Sequence, residues 1–432
     1  PFFIPDNLLK LWRAIPGTRE RDQTDNTAEA KHFVAPLKIS HPELDSGSIK
    51  ELLHGSRLGG RDDYKILDLH NEAEATRVSS GKVLSHLLAN NPRIIAGSAD
   101  LSSSNNIKSS NCQPITKDNF NGNFIHYGIR EHAMGAIMNG LALEGFIPAG
   151  GTFLVFSDYM RPSIRLSSIM GLKIIYIMTH DSIGVGEDGP THQPIEHLAS
   201  LRAIPNLTVF RPADYVETAE CWEIALTLNS PSLIALSRQN LPQIRKGYTN
   251  NKSSLGAYVI KNSISHRHCE EDSNPTSQST ELTSQNISDR AIDVVKTTTS
   301  LDCHGAKAPR NDDKLDTLTK PEVTIFASGS EVHLALETAK LLPNHKVRVI
   351  SVPSVDLFFK QDESYIESLL GGDDLKVAIE AGCSVGWHKI IGRKGLFFGI
   401  DEFGHSAPAS KLFELFGLTP ENIAAKIKQK LS

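Results

Sequence analysis

The chain has 432 residues, a formal net charge of −5 and an ordinary hydrophobic fraction of 39%, which suits two or three globular domains and excludes a general polyanion-binding role. Its five cysteines, Cys112, Cys221, Cys269, Cys303 and Cys383, are odd in number, scattered and without a CxxC pair. That usage fits a reducing compartment, the cytoplasm, better than a disulfide framework. No apolar run reaches the ~20 residues that span a bilayer, and the opening PFFIPDNLLKLWRAIPG lacks the basic start and long apolar centre of a signal peptide.

Residues 1–70 read as tail and linker: one short amphipathic stretch, NLLKLWRAI, then polar sequence of little periodicity. From Glu72 helices and strands alternate. A helix is expected through ATRVSSGKVLSHLLANN, a strand at RIIAGSAD and a helix through REHAMGAIMNGLALEG, followed by the aromatic-rich TFLVFSDYMRPSIRLSSIMG. Strands KIIYIMTH and LTVFRP, helix DYVETAECWEIALTL and strand SLIALSRQ complete the unit. Short β-branched strands between helices predict a parallel sheet covered on both faces.

The strand KIIYIMTH runs into GVGEDG, which satisfies the letters of the dinucleotide fingerprint GxGxxG. A nucleotide-binding glycine loop must open a helix at once, so that backbone N–H groups face the pyrophosphate. Here Pro190 and Pro194 interrupt that helix, and Glu187 and Asp188 place negative charge where phosphates would sit. The nucleotide reading is therefore weak, and His180, Asp181, Glu187, Asp188 and His192 need another explanation.

A second, smaller unit begins near Glu322: strand VTIFASGS, helix EVHLALETAKLL, strands KVRVISV and KVAIEAG, and a last helix ENIAAKIKQKL. Between the units lies a polar tract, roughly residues 262–318, too poor in apolar residues to offset its ordering entropy, so disorder is expected. Its His266, His268, Cys269, Cys303 and His304 match no common closed zinc spacing. The fragments SHRHCEED and LDCHGAKAPRNDD resemble translated palindromic repeats inserted into genes of some intracellular bacteria, which makes the tract a tolerated insertion. The expected architecture is two doubly wound α/β domains, residues 71–243 and 321–432, joined by a linker over 244–320.

The first unit supplies, in order, GSADLSSSN (97–105), YGIREHAMG (127–135), GGTFLVFSDY (150–159), THDSIGVGEDGPTHQP (179–194), RPAD (211–214) and LSRQNLP (236–242). Together these resemble transketolase, from about Glu72 to the end apart from the polar tract. The resemblance implies a pyrimidine-binding domain for thiamine diphosphate followed by a smaller transketolase C-terminal domain. The implied activity is transfer of a two-carbon ketol unit from a ketose phosphate to an aldose phosphate, in the pentose phosphate pathway.

Residue roles follow from the matched motifs. Glu131, on its own a first-turn glutamate stabilised by the helix dipole, is implied to bond N1′ of the cofactor's aminopyrimidine ring and share the proton that activates C2. Phe153, Phe156 and Tyr159 recur every three residues, a spacing that reads as core packing; the resemblance instead sets them around the pyrimidine, with Phe156 stacking. Asp100, by pattern a strand-end turn residue, is implied to lie near the thiazolium. His180 and His192 are implied to bond substrate oxygens, with His180 catalytic, and Asp188 to recognise the C2 hydroxyl of an acceptor aldose. Arg77, Ser104 and Arg238 match a terminal-phosphate clamp, for which guanidinium forks are suited. GVGEDGPTHQP resembles the loop lining the sugar channel, its glycines expected to let backbone pass close to substrate.

A complete transketolase also has a preceding domain that binds the diphosphate and its Mg2+ or Ca2+ through a GDG-type motif ending in asparagine. No such motif occurs in the sequence, and PFFIPDNLLKLWRA resembles the end of that domain. The expectation is half an active site, working as a homo-oligomer or with a chain that carries the diphosphate-binding domain, inactive alone, with the metal ligands elsewhere. Its partners are sugar phosphates, with no nucleic acid or membrane. An inactive truncated remnant and a related thiamine enzyme such as deoxyxylulose-phosphate synthase are the alternatives, and GEDGPTHQP with LSRQNLP favours transketolase over the latter.

Overall fold

A computed structural model of the protein describes residues 72–245, 247, 250–262 and 320–432. The N-terminal stretch and nearly all of the polar tract, including His266, His268, Cys269, Cys303 and His304, lie outside those residues.

The first half runs α1 (Thr76–Asn90), β1 (Ile94–Ser98), β2 (Phe124–His126), α2 (Glu131–Leu143), β3 (Ile147–Phe153), α3 (Ser157–Met170), β4 (Ile175–Thr179), α4 (His197–Arg202), β5 (Thr208–Phe210), α5 (Tyr215–Thr227) and β6 (Ser232–Leu236). The strands form one parallel sheet in the order β2-β1-β3-β4-β6-β5. Both faces are apolar, as the continuous hydrophobic strands require. One is covered by Val83, Leu84 and Leu87 of α1 with Trp222 of α5, the other by Met134 and Met138 of α2 with Met160 and Ile164 of α3.

Two elements differ from the sequence reading. The segment IPAGGTF forms β3, buried along its length, although Pro148 and two glycines hide it from a strand pattern. Its glycines are needed for close approach: a Cβ at Gly150 would stand 2.3 Å from Met138 Sδ. The aromatic-rich segment becomes a single turn over Leu154–Phe156 and then α3, which keeps Pro162 inside it and stops at left-handed Gly171.

The second half continues through β7 (Tyr258–Asn262), β8 (Val323–Ala327), α6 (Glu331–Lys340), β9 (Val347–Ser351), α7 (Val355–Phe358), α8 (Glu363–Leu370), β10 (Leu375–Ile379), α9 (His388–Ile391), β11 (Leu396–Phe398), α10 (Ala409–Leu415) and α11 (Pro420–Leu431). Its sheet has the order β11-β10-β8-β9-β7. The first four strands are parallel, and β7, which the sequence reading leaves in the linker, closes the edge antiparallel to β9. No described helix is long and apolar enough to cross a membrane.

The halves meet in a buried polar seam. Arg211, fully buried, donates Nε to Asp181 Oδ2 at 2.9 Å and Nη1 to the Ser328 carbonyl at 2.9 Å, and pairs with Glu331. Glu380 stands 3.9 Å from the same Nη1 and takes both arms of Arg202, at 2.8 and 2.7 Å. Burial opposes Arg211's charge, but the facing Glu331, Asp181 and Glu380 outweigh it and hold its pKa above the ordinary value.

Glu217 of α5 crosses the same seam, accepting from the Ser351 hydroxyl at 2.5 Å and the Tyr258 hydroxyl at 2.6 Å. Burial, then the charge of Asp214, pushes its pKa up to about 7. Because the folded state keeps a proton that the unfolded chain loses near 4.5, Glu217's contribution to stability falls as pH rises from 4.5 to 7. His180, in the turn after β4, gives the opposite slope, since its pKa is lowered from 6.5 to about 3. The variant-minus-wild-type difference is therefore the measurement: urea unfolding at several pH values should show that Glu217→Gln removes a fall of about 1 kcal/mol per pH unit in this window. An unchanged slope would refute the assignment.

A candidate active site at the carboxyl ends of the first sheet

Open parallel sheets bind ligands beyond the carboxyl ends of their strands. In the first sheet that edge carries Asp100 after β1, Phe153 at the end of β3, His180 after β4 and Arg238 after β6. Buried Asn105 ties the strand ends together: its amide donates to the Thr152 carbonyl at 3.2 Å and to Thr179 Oγ1 at 2.7 Å, while its Oδ1 accepts from Ser98 Oγ at 3.0 Å. Nothing in sequence periodicity marks Asn105, although it sits inside GSADLSSSN.

His180 is the centre of the cluster. Its backbone is left-handed, with φ of 62, in the β4 exit turn. The ring is buried, lies 3.7 Å from the Phe153 ring centroid and places Nδ1 2.9 Å from Thr179 Oγ1. Burial first, then the charges of Arg77, Arg238 and His192, lowers its pKa to about 3, so near neutral pH it is a neutral imidazole offering one donor and one acceptor. His192 joins from the glycine loop, its ring edge-on to Phe153 at 6.2 Å and Phe156 at 5.5 Å.

Phe153 and Phe156 stack at 5.5 Å and 20° between planes. The core-stripe reading of the aromatic spacing fails: Phe153 is buried and Phe156 half-buried, whereas Tyr159 is 68% exposed, its ring 5.9 Å from that of Phe156. Beneath them, buried Glu131 opens α2, where the helix dipole favours its charge. Its Oε1 accepts a long 3.4 Å bond from Thr152 Oγ1, next to Phe153. Buried Tyr127 leaves its hydroxyl without a hydrogen-bond partner.

Arg77 and Arg238 approach each other because the start of α1 is sewn to the end of β6. Thr76 N donates to Ser237 Oγ at 3.0 Å and Ser237 N to Thr76 Oγ1 at 2.8 Å. Arg77 reaches the Ser104 carbonyl through Nη1 at 2.7 Å and leaves buried Nε unbonded. Burial, then the charge of Arg238, lowers its pKa. Two guanidiniums that repel beside a neutral imidazole form a field suited to an anion.

Other expected site residues stand apart. Asp100 is exposed in a left-handed turn, with φ of 63, and Asp188 is exposed on the loop; no described contact joins either side chain to His180. At the glycine loop no helix opens at GVGEDG, as Pro190 and Pro194 imply; Ile183–Val185 makes one turn, and the close approaches of Gly186 and Gly189 are to Ala407 and Ser406 of the second half. These glycines have φ of 85 and 79, so they shape a loop that packs against the second half.

Asp158, Glu196 and His197 bring ligand-type atoms within 4.8 Å of one another. His197 Nε2 faces Asp158 at 3.1 Å while Nδ1 faces Glu196 at 3.7 Å. The two nitrogens point to different carboxylates, which does not make the convergent donor set of a metal site.

Residues 72–243 match the model of the transketolase pyrimidine-binding domain, and residues 305–419 that of the transketolase-like C-terminal domain. The chain is 40% identical to transketolase of Sinorhizobium medicae over 100% of its length and 54% of that protein. It is 37% identical to chloroplastic transketolase of Craterostigma plantagineum, covering 99% of this chain and 73% of that protein. It spans about half the length of most of the curated relatives it matches. Transketolase from Leishmania mexicana superposes with a TM-score of 0.69 at 34% identity, over 89% of this chain and 49% of that one. A split-gene transketolase described as an inactive β4 tetramer shares the fold, with a TM-score of 0.58 at 23% identity, over 83% of this chain and 98% of that one.

Proposed function

The chain belongs to the transketolase family, and from that premise we propose that it carries the pyrimidine and sugar half of a site transferring a two-carbon ketol unit between sugar phosphates. The observation that carries this reading is the convergence of Arg77 and Arg238 on a neutral, buried His180 beside the stacked Phe153 and Phe156.

The residues present fit the aminopyrimidine end of thiamine diphosphate. Glu131 is a buried carboxylate with only a long bond to Thr152, Phe156 is a half-buried ring stacked on Phe153, and the Tyr127 hydroxyl is orphaned. When bound, that cofactor supplies a carbon nucleophile and an electron sink for the two-carbon unit. Glu131 would hold a proton at N1′, with Phe153, Phe156 and Tyr159 around the ring and Asp100 toward the thiazolium. His180 and His192 would donate to and accept from sugar oxygens, and Asp188 would bond the acceptor's C2 hydroxyl. Arg77, Arg238 and Ser104 would hold the terminal phosphate. The cofactor's diphosphate and its divalent metal, Mg2+ or Ca2+, would be held by a diphosphate-binding domain facing this half. A face of α2 and α3 suits assembly: Ile137, Leu143, Leu166, Ile169 and Met170 are exposed there, a patch that favours a second copy or a partner chain. The described cysteines Cys112, Cys221 and Cys383 are free, which supports work in a reducing compartment, the cytoplasm, and the proposed transfer would belong to the pentose phosphate pathway.

The test supplies the chain with thiamine diphosphate, Mg2+, xylulose 5-phosphate and ribose 5-phosphate, and in a parallel reaction with pyruvate, each with and without an added transketolase diphosphate-binding domain. Sedoheptulose 7-phosphate and glyceraldehyde 3-phosphate should form only when the domain is added. Decarboxylation of pyruvate instead would overturn the reading, and full turnover without the domain would overturn the division of the site.

A further inference from the structure

Resting on the proposed role of His180, we propose that Arg211 is a positioning residue: through Asp181 it transmits the grip of the second half to the backbone that presents the His180 ring. The left-handed turn at His180, with φ of 62, is disfavoured for a side chain with a Cβ and persists only where its surroundings over-determine it. The ring is also held where its neighbours Arg77, Arg238 and His192 oppose its protonation and Phe153 and Thr179 enclose it. Something must hold this turn.

The adjacent residue does so. Asp181 is 2% exposed and commits Oδ2 to Arg211 Nε at 2.9 Å. Arg211 is in turn fixed to the second half by its backbone as well as its side chain. Its N–H donates to the Pro353 carbonyl at 2.8 Å, its carbonyl accepts from Gly329 N at 3.1 Å, and Nη1 donates to the Ser328 carbonyl at 2.9 Å. The turn that receives it is shaped for it: Gly329 has φ of 54, and a Cβ there would stand 2.8 Å from Arg211 Cγ. Downstream, the second half holds the same loop again, through Gln193 Nε2 to the His405 carbonyl and Cys383 N to the Ile195 carbonyl, both at 3.0 Å. The segment between those holds carries His180 at one end and His192 near the other.

Charge balance separates this role from simple stabilisation. Arg211 already faces Glu331 and Glu380 from the second half, so its charge is compensated without Asp181. What Asp181 adds is the connection to His180.

The decisive variants in the full chain are Asp181→Ala, which removes the acceptor of Arg211 Nε, and Asp181→Asn, which keeps an oxygen for it. Asparagine is mild by construction, because Asp181 Oδ1 has no hydrogen-bond partner, so an amide nitrogen in its place breaks no bond. The readout is NMR titration of the His180 imidazole, assigned by its loss in His180→Asn. In Asp181→Ala, His180 should move from titrating at about 3 toward its ordinary 6.5 as the freed turn lets the ring reach water, whereas Asp181→Asn should leave it where wild type has it. Gly329→Ala, which presses on Arg211 without changing charge, should move His180 in the same direction as Asp181→Ala. A folded Asp181→Ala chain in which His180 still titrates near 3 would overturn the proposal. So would an Asp181→Ala chain that fails to fold, since Asp181 would then serve the fold. Turnover is not needed for this readout: if His180 responds as expected but the added diphosphate-binding domain restores no transfer, the functional reading falls and the positioning role stands.

Discussion

Glu131→Gln is expected to lower kcat by about 10²- to 10⁴-fold, the range for removal of a positioned proton-transfer group, in the chain complemented by a diphosphate-binding domain. The substitution keeps the shape of the side chain and its acceptor for Thr152 Oγ1, so packing at the start of α2 is preserved. On the proposed reading, what it removes is the ability to hold a proton at the cofactor's N1′. Arg238→Ala is the contrast. Arg238 is exposed and acts on the cluster through its charge on His180 and Arg77, and a remote phosphate is held in the ground and transition states alike. That variant should raise KM for phosphorylated sugars and leave kcat nearly unchanged. Steady-state kinetics with a phosphorylated ketose donor separate the two. Equal and small effects would reduce Glu131 to a first-turn residue that serves the helix dipole alone.

The parts of the fold legible in the sequence are those where one period dominates. The alternation from Glu72 to the end of β6 could be read because β1, β4 and β6 are uniformly buried and rich in isoleucine and leucine, and their helices carry long apolar faces. Strand β3 could not, because close contact with Met138 and Asn105 demands glycines where a strand pattern expects large residues. Strand β7 is five residues cut off from its sheet by the polar tract, and its pairing with β9 is set only by tertiary contact. In the candidate site, Glu131 opens a helix and Phe153 and His180 stand at strand ends, positions that local pattern marks, whereas His192 lies in the loop between β4 and α4, where only the motif singles it out. Arg77 and Arg238 come from opposite ends of the first unit, and only the Thr76–Ser237 bonds make them neighbours. RPAD was visible as a motif, but no local pattern shows that its arginine reaches a glutamate 120 residues away. Likewise Asp214 of the same motif caps α5 by accepting from Glu217 N at 2.8 Å, a role that its position before a helix would have suggested.

Arg211→Met is expected to cost about 3–5 kcal/mol of stability, the usual loss when one partner of a buried ion pair is removed. Asp181 and Glu331 are 2% and 0% exposed and would lose their nearest positive charge. Glu380 would suffer less: burial raises its pKa, but Arg202, ahead of Arg211 and Ser328, brings it down to about 2. The sign of the pH dependence follows. In wild type the contribution of Glu380 is complete above its ordinary 4.5 and is lost as pH falls toward 2. In Arg211→Met, Glu331, whose pKa burial already raises above the ordinary value against the charge of Arg211, would lose that opposing charge and hold its proton more firmly than the unfolded chain does. Its penalty would therefore be greatest at neutral pH and would shrink as the pH falls through the ordinary carboxylate range. Adding Asp181→Asn and Glu331→Gln to Arg211→Met should recover a large share of the loss, since removing a buried charge set together is far less costly than orphaning part of it. Urea unfolding of the single and triple variants at neutral and mildly acidic pH measures all three quantities. A single variant within about 1 kcal/mol of wild type, well below the loss typical of an orphaned buried charge, would show that Arg211 does not hold the halves together electrostatically. A triple variant no more stable than the single one would place the loss in packing around Gly329 instead of in charge.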